Sequence, residues 1–157
     1  SEPYSVFTYR YFLHRFPQLC IFAVPSEDKS ENAEPIGCVV CKIDPEDNDD
    51  VATINEAGGG SSSTPPDVEK EARLCGYIGM LAVDTSYRRS GIGFALVKRA
   101  VRRMKDLGCS SVILETEVSN KAAMKLYEER FGFMREEFLS RYYLNNGDAY
   151  RLRLWLK

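Results

Sequence analysis

The sequence predicts a single α/β domain with a mixed, mostly antiparallel central sheet and helices on both faces. Strand-like and helical segments alternate in the middle of the chain, and pairs of strand-like segments flank that middle. The chain has 157 residues, which suits one domain with a sizeable core. These three observations together predict the fold class.

The first part of the chain predicts a helix followed by a hairpin. Tyr and Phe residues recur at helical spacing over 3–16, and Pro17 ends the helix. Apolar segments over 19–24 and 35–43 predict two strands joined by a polar stretch. We expect most of the helix aromatics to pack in the core or against a partner.

The segment from about 44 to 72 has a different composition. Asp44 to Lys70 holds eight acidic residues and one basic residue, together with runs of Gly, Ser and Pro. Such a segment cannot bury a core. We therefore expect a flexible acidic and Gly/Ser insertion at about 44–72, within one domain that spans 1–157.

The second half predicts alternating elements and then a long hairpin. A nearly all-apolar run predicts a central strand covered on both faces, and Ser119 or Asn120 suits the N-cap of the second helix of this half. The predicted elements are a strand over 75–83, a helix over 92–107, a strand over 111–118, a helix over 120–129, and hairpin strands over 135–144 and 148–156.

Composition bounds the function classes. The net charge is −2, and outside the acidic segment the chain is mildly basic, which is too weak a bias to indicate nucleic-acid binding. No apolar run has the length of a membrane span and no signal-like segment opens the sequence, so we expect a soluble intracellular protein. Cys38 and Cys41 fall on opposite faces of a strand, and His14 lacks a partner cluster, so we expect packed, reduced thiols and no metal site.

A basic, glycine-punctuated turn follows the central strand and opens a helix. Gly91 and Gly93 allow the backbone to turn sharply and approach a ligand, while the N–H groups of the first helical turn attract an anion. Arg88 and Arg89 add positive charge beside Ser90. The turn predicts a phosphate-binding site.

Two carboxylates lie on the next strand, which is otherwise apolar. Glu115 and Glu117 share one face at the carboxyl end of the strand, where α/β folds place their sites. One reading is a general base, and either carboxylate suits it. The other reading is ordinary pairing with a nearby Arg or Lys.

Arg88-x-x-Gly91-x-Gly93 and Asn120-x-x-Ala123-x-x-x-Tyr127 resemble the motifs of the GCN5-related N-acetyltransferase (GNAT) family. The resemblance implies the GNAT fold, acetyl-CoA as co-substrate and no metal. Members usually begin with an edge strand, so we expect this chain to lack the first strand. The implied cofactor-binding residues are Leu81, Ala82, Val83, Arg88, Arg89, Ser90, Gly91, Ile92, Gly93 and Asn120.

The implied chemistry is acetyl transfer to an amine. Glu115 is our choice as general base through a water, and the strand amides near 81–83 would stabilise the oxyanion. Tyr127 would protonate or only hydrogen-bond the departing thiolate, because a phenol is a weaker acid than a thiol. Gly132 follows Tyr127 by five residues where four is commoner, which leaves the helix end open.

The segments around Tyr9-Arg10-Tyr11-Phe12, Leu114-Glu115-Thr116-Glu117 and Arg141-Tyr142-Tyr143 resemble the type C (NatC) subfamily of N-terminal acetyltransferases. That resemblance implies cytoplasmic, ribosome-associated acetylation of nascent chains that begin with Met and a bulky apolar residue. It also implies a large auxiliary ribosome-anchoring subunit and a small Sm-like subunit. The implied peptide-binding residues are Glu2, Pro3, Tyr4, Glu117, Tyr142 and Tyr143.

Two other functions remain open from the sequence. The first is acetylation of lysine or small amines by a protein of the same fold. Tyr142 and Tyr143 favour a peptide terminus over these substrates. The second is a non-catalytic acyl-CoA-binding subunit. Arg88, Glu115 and Tyr127 argue against the latter, although residues alone do not demonstrate turnover.

Overall fold

The computed structural model describes residues 3–46 and 72–157. Two short 3₁₀ turns, Pro17–Leu19 and Thr85–Tyr87, supplement the main elements. In chain order these are α1 (Val6–Arg15), β1 (Cys20–Ala23), β2 (Gly37–Glu46), β3 (Arg73–Val83), α2 (Ile92–Asp106), β4 (Cys109–Glu117), α3 (Lys121–Met124), a π-helix (Lys125–Phe131), β5 (Met134–Leu139) and β6 (Ala149–Trp155).

The strands form one sheet in the order β1-β2-β3-β4-β6-β5. Only β3 and β4 pair in parallel, because the α2 crossover returns the chain in the same direction. The other four pairings are antiparallel. The predicted mixed, mostly antiparallel sheet is confirmed.

Helices cover both faces, as predicted. The main core joins α2 and the π-helix to one face, where Leu96, Val97 and Met104 meet Val39, Val112 and other strand residues. On the other face a smaller cluster joins Phe12 of α1 to Cys20 and Val40. The aromatic helix therefore buries one ring, while Phe7 stays 79% exposed and Tyr11 is also exposed.

The first helix begins at Val6 and not at residue 3, because Ser5 is its N-cap, and three further boundaries differ from the sequence predictions. Residues 44–46, assigned to the insertion, continue β2, because they pair with β3 through Glu46↔Arg73. The rest of the predicted insertion, 47–71, lies outside the described residues. The first strand of the last hairpin ends at Leu139 and not at Leu144, because Arg141 adopts a φ of 50° and its N–H donates to Asp148 Oδ1 at 2.9 Å.

The helix after β4 contains the third difference. Asn120 is its N-cap, as predicted, but after one turn the α-helix widens into the π-helix that runs to Phe131. A π-helix accommodates an extra residue in the turn. This widening explains the five-residue spacing between Tyr127 and Gly132, whose φ of 82° ends the helix.

Candidate active site

A cleft opens where β3 and β4 part. Their parallel pairing runs from Leu74↔Cys109 to Tyr77↔Ile113, and no later pair joins them. Just beyond, Gly79 is an extra residue on β3, because Val40 pairs with Met80 and Cys41 with Ile78. The open space measures about 890 Å³ and is lined by 78–83 of β3, 114–117 of β4, the glycine turn, α3 and the π-helix.

One end of the cleft is the predicted phosphate-binding turn. Gly91 is the N-cap of α2 with a φ of 83°, and Arg89 is also left-handed with a φ of 63°. A Cβ on Gly93 would lie 3.7 Å from Leu81 and 3.8 Å from Val83, which is ordinary contact. The fold itself therefore has room for a side chain at Gly93, while at Gly91 the backbone conformation favours glycine.

The arginines of the turn are exposed, and one of them also braces it. Arg88 donates from Nε to the Val83 carbonyl at 3.3 Å, which ties the turn to the end of β3. Ser90 donates its hydroxyl to the Tyr87 carbonyl. The remaining guanidinium N–H groups of Arg88 supply charge beside the N-terminus of α2.

Asn120 and Tyr127 both line the cleft. The Oδ1 of Asn120 accepts the N–H of Ala123 at 3.1 Å, so its NH₂ group is the part left for a ligand. Tyr127 is 5% exposed and meets the ring of Phe133 edge-on at 5.5 Å. Burial, followed by the neighbouring Cys41, raises the pKa of the Tyr127 phenol well above its usual value.

The two carboxylates of β4 have different surroundings. The Glu115 side chain is 8% exposed, and its Oε1 accepts from Nε and Nη2 of Arg151 at 3.4 and 3.3 Å. Its Oε2 is buried and accepts no hydrogen bond from the residues that the structure describes. Glu117 is half-buried and accepts from the Ser119 hydroxyl at 3.4 Å. Pairing with an arginine thus occurs at Glu115, but it occupies only one of the two oxygens.

Tyrosines surround the Glu115 end of the cleft. Tyr143 lines the cleft, and its ring lies 5.0 Å from that of Tyr142 in an edge-to-face contact. Burial and then the charge of Glu117 raise the pKa of Tyr143 to about 12. Tyr4 is close enough to contribute to the same shift. The structure therefore brings Tyr4 and the Tyr142–Tyr143 pair together, with Pro3 exposed beside Tyr4; Glu2 lies outside the described residues.

Sequence reasoning missed four residues at this site. Tyr77, the last β3 residue paired with β4, lies beside Glu115. Burial, the Tyr4 hydroxyl, the Glu115 charge and a hydrogen-bonding approach of the phenol to the Glu115 carboxylate raise the pKa of Tyr77, although that approach is too loose to count as a hydrogen bond to Oε2. Arg151 is the cross-strand partner of Glu115. Phe94 and Arg130 also line the cleft, with the guanidinium 4.2 Å from the ring centroid. The alternation of side chains along the last strand was the available signal for Arg151. The direction of the Arg130 side chain could not be predicted from α-helical spacing, because this residue lies in the π-helix.

Two kinds of feature are absent from residues 3–46 and 72–157. There, no cluster of three His, Cys, Asp or Glu side chains is arranged to hold a metal ion. Nor does any helix in those ranges have the length and apolarity needed to cross a membrane.

Known proteins resemble this chain in both sequence and fold. Residues 1–133 match the model of the Acetyltransferase (GNAT) family. The chain belongs to the GNAT acetyltransferase family. The resemblance inferred from the turn motif and from the Asn120–Tyr127 motif is thereby confirmed.

Individual GNAT proteins are similar to this chain over nearly its whole length. The chain is 46% identical over 157 residues to N-alpha-acetyltransferase 30 of Xenopus laevis, covering 100% of this chain and 46% of that protein. It is 44% identical over 154 residues to the Saccharomyces cerevisiae protein of the same name, covering 98% and 73%. It thus spans less than half of the Xenopus relative, and 35% of the human one.

Solved GNAT structures share the fold. The crystal structure of the NatC complex bound to Gag peptide and CoA contains a chain with a TM-score of 0.79 and 43% identity, covering 100% of this chain and 83% of that one. Arabidopsis thaliana NAA60 in complex with acetyl-CoA gives a TM-score of 0.65 at 25% identity, covering 86% and 74%.

Proposed function

We propose that this chain transfers acetyl from acetyl-CoA to the free amino terminus of proteins. The observation that carries the proposal is the state of Glu115. Its Oε2 is a buried acceptor that receives no hydrogen bond from residues 3–46 and 72–157, and it lies in a cleft that begins at a helix N-terminus. A buried carboxylate oxygen without a hydrogen bond is costly, so it needs a functional reason. A protonated amine, or a water in contact with one, supplies it.

Acetyl-CoA fits the other end of the cleft. The amides of Gly91 to Gly93 and the positive end of α2 suit the pyrophosphate, with Arg88, Arg89 and Ser90 around it. Because β3 pairs with β2 on one side only beyond Tyr77, alternate amides of Leu81 to Val83 open into the cleft. We assign these amides to the thioester arm and its carbonyl oxygen, and the NH₂ group of Asn120 to the same cofactor.

The reaction balances with one base and one hydrogen-bond donor. An α-amine has a pKa of about 7.7 to 8.0, so a single carboxylate suffices to take its proton near neutral pH. Glu115 takes that proton directly or through water, and the neutral nitrogen then attacks the thioester carbonyl. As the C–S bond breaks, the nitrogen gives up its second proton to the thiolate sulfur or to water, which leaves the amide and CoA. The raised pKa of Tyr127 makes proton donation to a thiolate uphill, so Tyr127 donates a hydrogen bond to the leaving sulfur.

We further propose that the substrate begins with Met followed by a bulky apolar residue and is modified during synthesis. Tyr4 and the Tyr142–Tyr143 pair are assigned to the two sides of the peptide entrance, together with Pro3 and Glu117. Glu2, which lies outside the described residues, stays a predicted peptide contact. Aromatic walls with hydroxyl groups bind apolar side chains and peptide amides together. The solved structure with a Gag peptide supports a peptide as substrate.

The proposed partners are a large auxiliary ribosome-anchoring subunit and a small Sm-like subunit, in the cytoplasm. The NatC complex structure supports an assembly of this kind. The exposed apolar side chains of α1, Phe7 at 79% and Val6 at 64%, suit a protein interface. Co-purification of the two subunits with the wild type, and their loss with Phe7→Ser, would test this assignment.

The activity is tested by CoA release with two peptides, one with a free Met-Leu terminus and one blocked at its amino group with an internal lysine. The enzyme is purified with the subunits that accompany it. Reaction of only the free terminus, with large losses for Glu115→Gln and Tyr127→Phe, supports the proposal; Glu117→Gln decides between the two carboxylates. Preference for the blocked peptide would move the substrate to lysine. Acetyl-CoA binding without turnover on either peptide would favour the non-catalytic function.

A further inference from the structure

Arg151 lies at the centre of a three-residue row that crosses the sheet. It is the register partner of Glu115 on β4 and of Glu137 on β5. Its Nε and Nη2 donate to Glu115 Oε1 at 3.4 and 3.3 Å, and its Nη1 donates to Glu137 Oε2 at 2.9 Å. The guanidinium is thus held on both sides by carboxylates of neighbouring strands.

The row runs from the cleft wall to solvent. The exposed fraction of the side chain rises from 8% for Glu115 to 32% for Arg151 and 53% for Glu137. An ion pair at the exposed end contributes little to stability. At the buried end the arginine matters more, because a carboxylate removed from water needs a counter-charge to stay ionised.

The geometry at Glu115 is one-sided. The two Arg151 nitrogens that reach Glu115, Nε and Nη2, both donate to Oε1, while Oε2 accepts no hydrogen bond from the described part of the chain. A forked guanidinium fixes the plane of a carboxylate better than a point charge does. Anchored through Oε1, the carboxylate keeps Oε2 in a constant position.

We propose that Arg151 is a positioning residue for acetyl transfer: it holds Glu115 by Oε1, is itself held by Glu137, and thereby presents Oε2 as the atom that receives the proton of the amine. The inference rests on the proposed function, since it assigns a purpose to the surroundings of the base. Without Arg151 the carboxylate can rotate, and burial without a counter-charge favours its neutral form, which accepts no proton.

Several other ionisable groups of the described residues lie around Glu115. β3 contributes a phenol, the segment before α1 another, the loop before β6 two more, and β4 itself a second carboxylate. These groups are Tyr77, Tyr4, Tyr142, Tyr143 and Glu117. None of these groups carries a positive charge, so removal of Arg151 leaves Glu115 with hydrogen-bond donors but without the counter-charge of the guanidinium.

The test compares Arg151→Gln and Arg151→Lys with a control on the same strand. Arg153→Gln is the control, because Arg153 also bonds two glutamates across strands, Glu46 and Glu136, neither of which lines the cleft. For each variant, kcat, KM for acetyl-CoA, the pH dependence of kcat/KM and the melting temperature are measured with the Met-Leu peptide. Glu137→Gln removes the carboxylate at the outer end of the row and leaves the Arg151 guanidinium in place.

We expect Arg151→Gln to lower kcat at pH 7 about 10- to 100-fold with KM for acetyl-CoA unchanged, and to move the acidic limb of the profile upward. Arg151→Lys keeps the charge without the fork, so its limb stays near that of the wild type while kcat falls several-fold. Glu137→Gln lowers kcat about two- to fivefold. Arg153→Gln lowers the melting temperature and leaves the profile unchanged.

The inference is overturned if Arg151→Gln behaves like Arg153→Gln, with reduced stability but an unchanged acidic limb and kcat. If Arg151→Gln does not fold, kcat decides: Arg151→Lys and Glu137→Gln variants with the same kcat as Arg153→Gln overturn the inference. A wild type without turnover, or a Glu115→Gln variant as active as the wild type, refutes the proposed base and this inference with it. Loss in Glu115→Gln with no effect at Arg151 refutes the positioning role alone.

Discussion

Replacing Gly93 by alanine separates cofactor binding from folding. A Cβ at this position lies 3.7 to 4.0 Å from Leu81, Val83 and Leu126, so nothing in the folded chain must move. Alanine is a better helix former than glycine and restricts the unfolded chain, which adds roughly 0.4 to 1 kcal/mol of stability where the backbone is compatible. We therefore expect Gly93→Ala to be as stable as the wild type or slightly more so.

Binding of the cofactor responds in the opposite direction. If the turn holds the pyrophosphate as proposed, the added methyl would narrow the approach of that group to the amides of the turn. Loss of one charge-assisted hydrogen bond costs about 1.5 to 3 kcal/mol, which corresponds to roughly a 10- to 150-fold weaker affinity. Calorimetric titration with CoA measures this loss, and denaturant unfolding of the same sample measures stability.

Acetyl-pantetheine provides the internal control, because it carries the thioester and lacks the pyrophosphate. For Gly93→Ala, kcat/KM should fall for acetyl-CoA and stay within about twofold for acetyl-pantetheine if only phosphate contacts are lost. Gly91→Ala gives the contrasting pattern, since its φ of 83° costs an alanine about 1 to 2 kcal/mol of stability. Equal losses with both thioesters for Gly93→Ala, or unchanged CoA affinity, would refute the phosphate assignment of the turn.

Three further predictions follow from the core and the cleft. Gly76→Ala places a Cβ 2.4 Å from the sulfur of the fully buried Met104, so unfolding measurements should find it about 1 to 3 kcal/mol less stable; equal stability would contradict the packing. The raised pKa values of Tyr77 and Tyr127 make the folded state hold protons that the unfolded state loses above about pH 10. Stability should be unaffected near pH 7 and fall above pH 10, less so in Tyr127→Phe; an identical decline in wild type and variant would exclude Tyr127 as a source. Tyr143→Ala should raise KM for the peptide about tenfold or more and leave KM for acetyl-CoA within twofold, as steady-state kinetics would record; a rise for acetyl-CoA instead would place Tyr143 on the cofactor side.

The sequence was sufficient for the elements whose signals are local. Apolar periodicity predicted α2 and β3, and the glycine spacing predicted a turn at the N-terminus of α2. The cap at Asn120 followed from residue type alone. Each of these depends on neighbours within a few residues, which is why pattern reasoning reached them.

The misplaced features depend on contacts that are distant in sequence or on unusual backbone. Arg151 meets Glu115 only through the register of β4 and β6, which are separated by the helix and the last hairpin. The π-helix around Tyr127 gives no composition signal, although the extra residue before Gly132 pointed to an irregularity. The strand ending at Leu139 ends early because a left-handed Arg141 opens the loop that carries the two tyrosines.

The candidate site lies where several polar groups of the fold lack hydrogen-bond partners among the described residues. β3 and β4 stop pairing halfway, although unpaired strand amides in a protein interior are costly. At the same place α2 presents an uncapped N-terminus, and Glu115 retains a buried oxygen without a hydrogen bond among the described residues. These three unsatisfied groups follow one another along the cleft. The N-terminus of α2 offers donors for an anion, the unpaired β3 amides offer donors for an extended amide chain and its carbonyl, and Glu115 offers an acceptor for an amine. On the proposed function, one pair of ligands would satisfy all three: an acyl-CoA that enters from the turn and an amine that enters past the tyrosines. A reaction between two substrates therefore explains this cleft better than a structural role for any single residue in it.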